Sequence, residues 1–257
     1  MKSTTWHKIN YKVGGGPSAR AAIGLLTLSN DLAIEPEVNY FLETEGVALY
    51  ANRLPMDENA TLSTLKMMEP HITTCAAGLQ PLGNLDVVAY GCTAGSMVIG
   101  PRMVAKCINK ALPGAKTTNP ISAVCEALKS LSCRRIAVLT PYIDDINKQV
   151  AVHLEQEGFK LVSKDSFEVL ESLRMSLISP ESILEAGKKI GLNDKAEALF
   201  ISCTAMFVSP IREKLEDIIG KPVITSNQAI AWHSLRLAGI DETIIRVGTY
   251  LGDKQLL

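Results

Sequence analysis

Two cysteines offer the chemistry that this sequence can do. Cys92 stands in Tyr90-Gly-Cys-Thr-Ala-Gly-Ser96 and Cys203 in Ile201-Ser-Cys-Thr-Ala-Met206, so each thiol follows an apolar β-rich run and precedes Thr-Ala. A thiolate is both nucleophile and base, and a cysteine at the amino end of a helix has its thiolate stabilised by the dipole and by unpaired N–H groups. Thr93-Ala-Gly-Ser96 and Thr204-Ala-Met-Phe-Val-Ser209 read as turns or caps leading into helices, which places backbone donors beside each sulfur. Such donors suit a substrate carboxylate or an enolate oxygen. The competing reading of a cysteine is a small buried hydrophobe, and it is the one adopted for Cys75, Cys107, Cys125 and Cys133. With no C-x-x-C pair and no histidines at zinc spacing, no metal site is expected.

The two cysteines belong to a repeat. Ile23-Gly-Leu-Leu-Thr27 answers Ile136-Ala-Val-Leu-Thr140 at an offset of 113 residues, and Phe41-Leu-Glu-Thr-Glu-Gly46 answers His153-Leu-Glu-Gln-Glu-Gly158 at 112. Asp86 to Ala94 then aligns with Glu197 to Ala205 at 111. Three matches in one order point to an internal duplication, against the alternative that apolar strands of any parallel sheet look alike.

The elements that would position the thiols follow from periodicity. Short β-rich runs at 22–28, 46–50, 85–91, 135–140, 160–163, 197–202 and 222–225 alternate with amphipathic stretches at 32–44, 58–80, 98–111, 120–131, 143–157, 181–190, 209–218 and 227–238. That alternation predicts an α/β fold of parallel strands with crossover helices. The expected division is a flexible lead-in over 1–20, a first domain over 21–115 plus 226–257, and a second over 116–225. Ligands of such sheets bind beyond the carboxyl ends of the strands. If the halves pack about a pseudo-two-fold axis, Cys92 and Cys203 meet in one cleft. Loops at equivalent places add Ser29-Asn30-Asp31 and Pro141-Tyr142, where Asn30 and Asp31 also read as ordinary helix caps. Ser226 and Asn227 either cap the last long helix or face the cleft, and His233 reads as a packed histidine. Met56, Met67 and Met68 read as core or subunit contact.

Composition limits the partners. Among 257 residues, 26 Lys+Arg against 27 Asp+Glu leave a net charge of −1, which gives no broad cationic field for nucleic acid. No apolar run reaches the roughly eighteen residues that cross a bilayer, and the first twenty residues lack the hydrophobic core of a secretion signal. The expectation is a cytoplasmic protein with a small-molecule partner, without nucleic acid or membrane contact, and a homo-oligomer, dimer or larger.

In Leu28-Ser-Asn-Asp-Leu-Ala-Ile-Glu-Pro-Glu37, Tyr90 to Ser96, Thr140-Pro-Tyr142, Ser202-Cys-Thr-Ala205 and Thr225-Ser-Asn-Gln228, the chain resembles the aspartate/glutamate racemase superfamily, in the branch of maleate cis-trans isomerases, arylmalonate decarboxylases and ectoine-utilisation proteins. The resemblance spans nearly all of 21–245. It implies two Rossmann-like domains about a cleft, no metal or organic cofactor, and small dicarboxylate or amino-acid-like substrates. It makes Cys92 the base or nucleophile and Cys203 the proton donor, and carries substrate-binding roles to Asn30, Thr93 and Tyr142; the expected substrate-binding set adds Ala94, Thr204 and Asn227. Decarboxylases of the family keep only the second cysteine, so Cys92 argues for a two-thiol isomerase or racemase. Leu28 to Asp31 and the residues after Cys92 depart from the maleate isomerase pattern, which leaves the substrate open. The alternatives are a decarboxylase using Cys203 alone and a non-catalytic binder.

Overall fold

A computed structural model describes residues 6–79 and 84–256; residues 1–5 of the expected lead-in and residue 80, the last of the expected helix 58–80, lie outside them. The strands are β1 (Ala21–Leu28), β2 (Val47–Leu54), β3 (Val87–Tyr90), β4 (Lys116–Thr118), β5 (Arg135–Thr140), β6 (Lys160–Ser166), β7 (Ala198–Ile201) and β8 (Val223–Thr225). They form two four-stranded parallel sheets, ordered β2-β1-β3-β4 and β6-β5-β7-β8. The two orders are the same once the repeat is superposed, and even the register repeats: Ile23 pairs with Val87 as Ile136 pairs with Ala198. All eight residues of β1 are buried, as a strand covered by helices on both faces requires.

The helices are α1 (Ile34–Phe41), α2 (Leu62–Lys66), α3 (Glu69–Ala77), α4 (Thr93–Ile99), α5 (Pro101–Ala111), α6 (Pro120–Ser130), α7 (Asp144–Gln156), α8 (Ser172–Met175), α9 (Pro180–Gly191), α10 (Ser209–Ile219) and α11 (Ser226–Leu237). Two expected helices are each two in the structure. The stretch 58–80 breaks at Met67 and Met68, because Pro70 is tolerated only in a first turn and so begins α3. The stretch 98–111 begins earlier, at Thr93, and breaks at Gly100, whose φ of +95° is followed by Pro101. The polar Lys-Thr-Thr of β4 carries no strand signal in the sequence, yet it hydrogen-bonds to β3; the division at 115 puts it with the other half.

Helix α11 packs on α6 and α1 and reaches β3 and β4, while α6 reaches β8, so the final helix of each half lies against the other half. Almost the whole of α11 is buried, including the Trp232 side chain, whose Nε1 donates to Lys254 O at 3.0 Å. In each sheet the chain leaves the first strand in one direction and returns on its other side. This opens a crevice at the carboxyl ends of β1 and β3 and another at those of β5 and β7.

Candidate active site

The two crevices meet in one small cavity of about 30 Å3. Its wall takes Leu28, Asn30 and Asp31 from the end of β1, Cys92, Thr93 and Ala94 from the end of β3, Tyr142 from the end of β5, and Cys203, Thr204 and Ala205 from the end of β7. Met56, Ala60 and Leu65 from the first half and Ser172 and Met175 from the second cover it. Seven of the eight residues singled out from the sequence therefore line one space. Asn227 does not: its Nδ2 donates to Glu37 Oε2 at 2.7 Å and to Thr204 O at 2.8 Å behind the wall.

Cys92 is the N-cap of α4, and its Sγ accepts from the Gly95 amide at 3.2 Å. Gly95 must lack a side chain here, since a Cβ would stand 2.6 Å from Tyr90 Oη, 2.7 Å from Met68 Cε and 3.0 Å from Cys92 Sγ. Cys203 differs from Cys92 in its backbone. A turn follows it, as expected, with α10 starting at Ser209, but its φ is +105°, a strained value for a residue with a Cβ. The amides of Ala205 and Met206 and the Tyr142 hydroxyl face its sulfur and favour the thiolate. They do not prevail. Burial pushes both thiols up to about 12, against the Gly95 and Ala94 amides at Cys92, and Asp31 adds to the rise at both. A resting thiolate stabilised by a helix dipole is thus overturned by desolvation. The two sulfurs are close enough that the charge of Cys203 also opposes ionisation of Cys92.

The supporting contacts cross between the halves. Thr93 Oγ1 donates to Ser226 Oγ at 2.8 Å, and the same oxygen accepts from the Cys203 amide at 3.1 Å, so one hydroxyl fixes both cysteine loops. The cap of α11 is Thr225, in a capping box with Gln228, which frees Ser226 and Asn227 for these bridges. Glu37 is 1% exposed; its Oε1 accepts from the Val208 (2.8 Å) and Ser209 (2.5 Å) amides, anchoring the start of α10 to α1. Burial raises the Glu37 carboxyl above its ordinary value despite these donors. At the end of β1, Asp31 does the capping, through Oδ1 to the Ala33 and Ile34 amides, while Asn30 Nδ2 donates to Asp57 O at 3.3 Å. Tyr142 is held by its carbonyl, which accepts from Asn147 Nδ2 at 2.7 Å and Ser166 Oγ at 2.5 Å.

The remaining expectations divide. His233 is a packed histidine with Nδ1 2.7 Å from Thr118 Oγ1. Cys125 and Cys133 are buried, whereas Cys75 and Cys107 are partly exposed. Met68 is core and Met67 exposed, but Met56 lines the cavity. Asp31, Ser172, Met175, Glu37 and Ser226 complete the site, and of these the sequence signalled only the Asp31 loop and the turn before α11.

Comparison with known proteins agrees with this architecture. The chain is 25% identical to a maleate isomerase of Alcaligenes faecalis over 89% of its own length and 95% of that enzyme's. A maleate isomerase variant of Pseudomonas putida S16, solved with maleate, superposes with a TM-score of 0.85 at 20% identity, covering 91% of this chain and 98% of that one. A cysteine-to-serine variant of the Nocardia farcinica maleate cis-trans isomerase, carrying a covalently bound succinylcysteine intermediate, superposes with a TM-score of 0.83 at 24% identity, covering 90% and 98%. The family model for arylmalonate decarboxylase matches residues 38–251, and the chain belongs to that family.

Proposed function

We propose that the protein is an isomerase of a small carboxylic acid in which Cys92 and Cys203 act as a pair on one substrate. The observation that carries this reading is the convergence of two thiols, from equivalent strand ends of duplicated sheets, on a single cavity. The maleate isomerases among its relatives support the reaction class, and the succinylcysteine of the Nocardia enzyme supports a nucleophilic sulfur.

Two routes suit a thiol pair. In the first, one thiolate adds to a conjugated double bond, the electron pair moves toward the carboxylate, and the opposing thiol protonates the carbanionic carbon. Rotation about the new single bond and elimination, with the proton returned, release the other geometric isomer. In the second, one thiolate removes a proton from a carbon and the other thiol delivers its own to the opposite face. Both need neutral donors around the anionic intermediate, for which the backbone after each cysteine and Tyr142 are placed. Burial opposes ionisation of both thiols, so either route needs the backbone donors beside each sulfur to favour the thiolate.

The decarboxylase reading, favoured by the family model that matches, needs Cys203 alone. Incubation with maleate, aspartate, 2,4-diaminobutanoate and an arylmalonate in heavy water, followed by NMR, separates the readings. The account expects deuterium or isomer in at least one acid, and a loss of about a thousandfold or more in both Cys92→Ser and Cys203→Ser. Full activity in Cys92→Ser would leave the decarboxylase, and binding without exchange would leave a non-catalytic module.

A further inference from the structure

Tyr142 lines the thiol cavity, and its main chain is gripped from the other side by residues that do not. Three successive carbonyls, of Thr140, Pro141 and Tyr142, all have donors. The first two accept from the Phe167 amide at 3.0 Å and the Val169 amide at 2.8 Å, donors that any residue but proline supplies. The third accepts only from side chains, Asn147 Nδ2 at 2.7 Å and Ser166 Oγ at 2.5 Å. Thr140 completes the grip: its Oγ1 donates to Asn147 Oδ1 at 2.5 Å and accepts from the Tyr142 amide at 3.4 Å. Thr140, Asn147 and Ser166 line a separate outer cavity of about 410 Å3 beside α7 and β6, so they touch the thiol site only through Tyr142.

The repeat gives this grip a counterpart. Ser166 pairs with Thr140 across the sheet as Arg53 pairs with Thr27, and the offset of 113 residues that carries Thr27 to Thr140 carries Arg53 to Ser166. Arg53 holds the loop after β1 through the carbonyls of Leu28 and Asp31 and is itself held by Glu35. One register position on each edge strand thus fixes a cavity loop, by a guanidinium in the first half and by a hydroxyl with an amide in the second. Among the described residues the Thr27 hydroxyl has no partner, so the bond from Thr140 to Asn147 belongs to the second half alone. On the inner side, Ser202 Oγ donates to Tyr142 Oη at 3.5 Å, which leaves the phenol proton for the Cys203 sulfur, where it favours the thiolate. A tyrosine has two rotatable bonds ahead of a rigid ring, so a shift of its main chain passes to the hydroxyl, and a hydrogen bond weakens steeply with misalignment. Resting on the two-thiol reading above, we propose that Asn147 and Ser166 are positioning residues: by holding the Tyr142 carbonyl they set the Tyr142 hydroxyl against the Cys203 sulfur.

The test follows labelling of Cys203 relative to Cys92 by methyl methanethiosulfonate at about pH 8, read by mass spectrometry. Asp31 and Cys92, the other ionisable groups that act with Tyr142 and Cys203, are left in place by the substitutions. Tyr142→Phe is expected to lower the ratio by about tenfold, and Asn147→Ala and Ser166→Ala each by about threefold or more. Ser166→Thr, which keeps the hydroxyl, is expected to keep the ratio. In a Tyr142→Phe background neither alanine variant should lower the ratio further, since the group they act through is gone. An unchanged or raised ratio in Tyr142→Phe or in either alanine variant, or an equal fall with and without the Tyr142 hydroxyl, would overturn the proposal. Should Ser166→Ala fail to fold, Asn147→Ala carries the same cycle. Labelling needs no turnover, so this outcome is independent of whether Cys92→Ser and Cys203→Ser remain active.

Discussion

The two cysteines are equivalent by repeat but not by backbone. Cys92 is extended, with φ −148°, and caps a helix, whereas Cys203 is held at φ +105° ahead of a turn. A strained φ costs on the order of 1–3 kcal/mol and persists where its surroundings dictate it; here Ser226 Oγ holds the Cys203 amide. The thiol pair thus has a built-in asymmetry on which different roles can rest. Gly95 tests how tightly the first of them is framed. Gly95→Ala would push Tyr90, Met68 and Cys92 apart, with an expected loss of about 1–3 kcal/mol in a denaturant titration and a larger fractional loss of turnover than of stability. Unchanged stability and turnover would contradict the packing described. At this scale the sequence was informative where residue type met repeat position, which is why Cys92, Cys203, Thr93 and Tyr142 were legible. It named Asp31 but left capping and cavity as alternatives, because the two roles belong to one carboxyl and only coordinates show that Asp31 both bonds the start of α1 and lines the cavity.

Among the elements, α1, α10 and α11 fix the cleft from behind through Glu37 and Asn227, and none of those bonds joins residues near in sequence. That distance is why periodicity recovered the helices but not their functional contacts. The strands were legible because buried parallel strands are continuous apolar runs, whereas the three polar residues of β4 are held by pairing with β3 and by side-chain bonds to α11, from Lys116 to Leu237 O and between Thr118 and His233. On α11, burial holds His233 down to about 4 from an ordinary 6.5. The unfolded chain takes up this proton below about 6.5 and the folded one only near 4, so the unfolded state binds more protons between them and stability falls as pH falls through that window. The histidine's share of the loss approaches about 3 kcal/mol at the lower end. Thermal melts between these pH values should show a steeper decline for the unmodified protein than for His233→Gln; parallel curves would contradict a buried neutral imidazole.

The whole molecule is a duplicated α/β unit closed over its own site. Segments from the two halves meet above the cavity in an antiparallel bridge between Asn59 and Glu171, with Ala60 N donating to Leu170 O and Ser172 N to Glu58 O, both at 2.8 Å. The cavity, about 30 Å3, is tight for a four-carbon acid, and the bridge borders it through Ala60 and Ser172, so ligand entry is expected to part that bridge. The Asn59–Glu171 pair is of the closely spaced, non-hydrogen-bonded kind. The double variant Asn59→Cys/Glu171→Cys should therefore lose turnover when oxidised and recover it on reduction; activity in the oxidised form would show another entrance. The duplication was legible from three short matches, while this cover was not, since neither segment carries a motif and their contact exists only once both halves have folded. Everything rests on the facing of the two sulfurs, and 1,3-dibromoacetone, which bridges neighbouring thiols, addresses it most directly. Peptide mapping should find one intramolecular link, between Cys92 and Cys203, with Cys75, Cys107, Cys125 and Cys133 outside it; single adducts on Cys92 and Cys203 with no bridge between them would contradict the account.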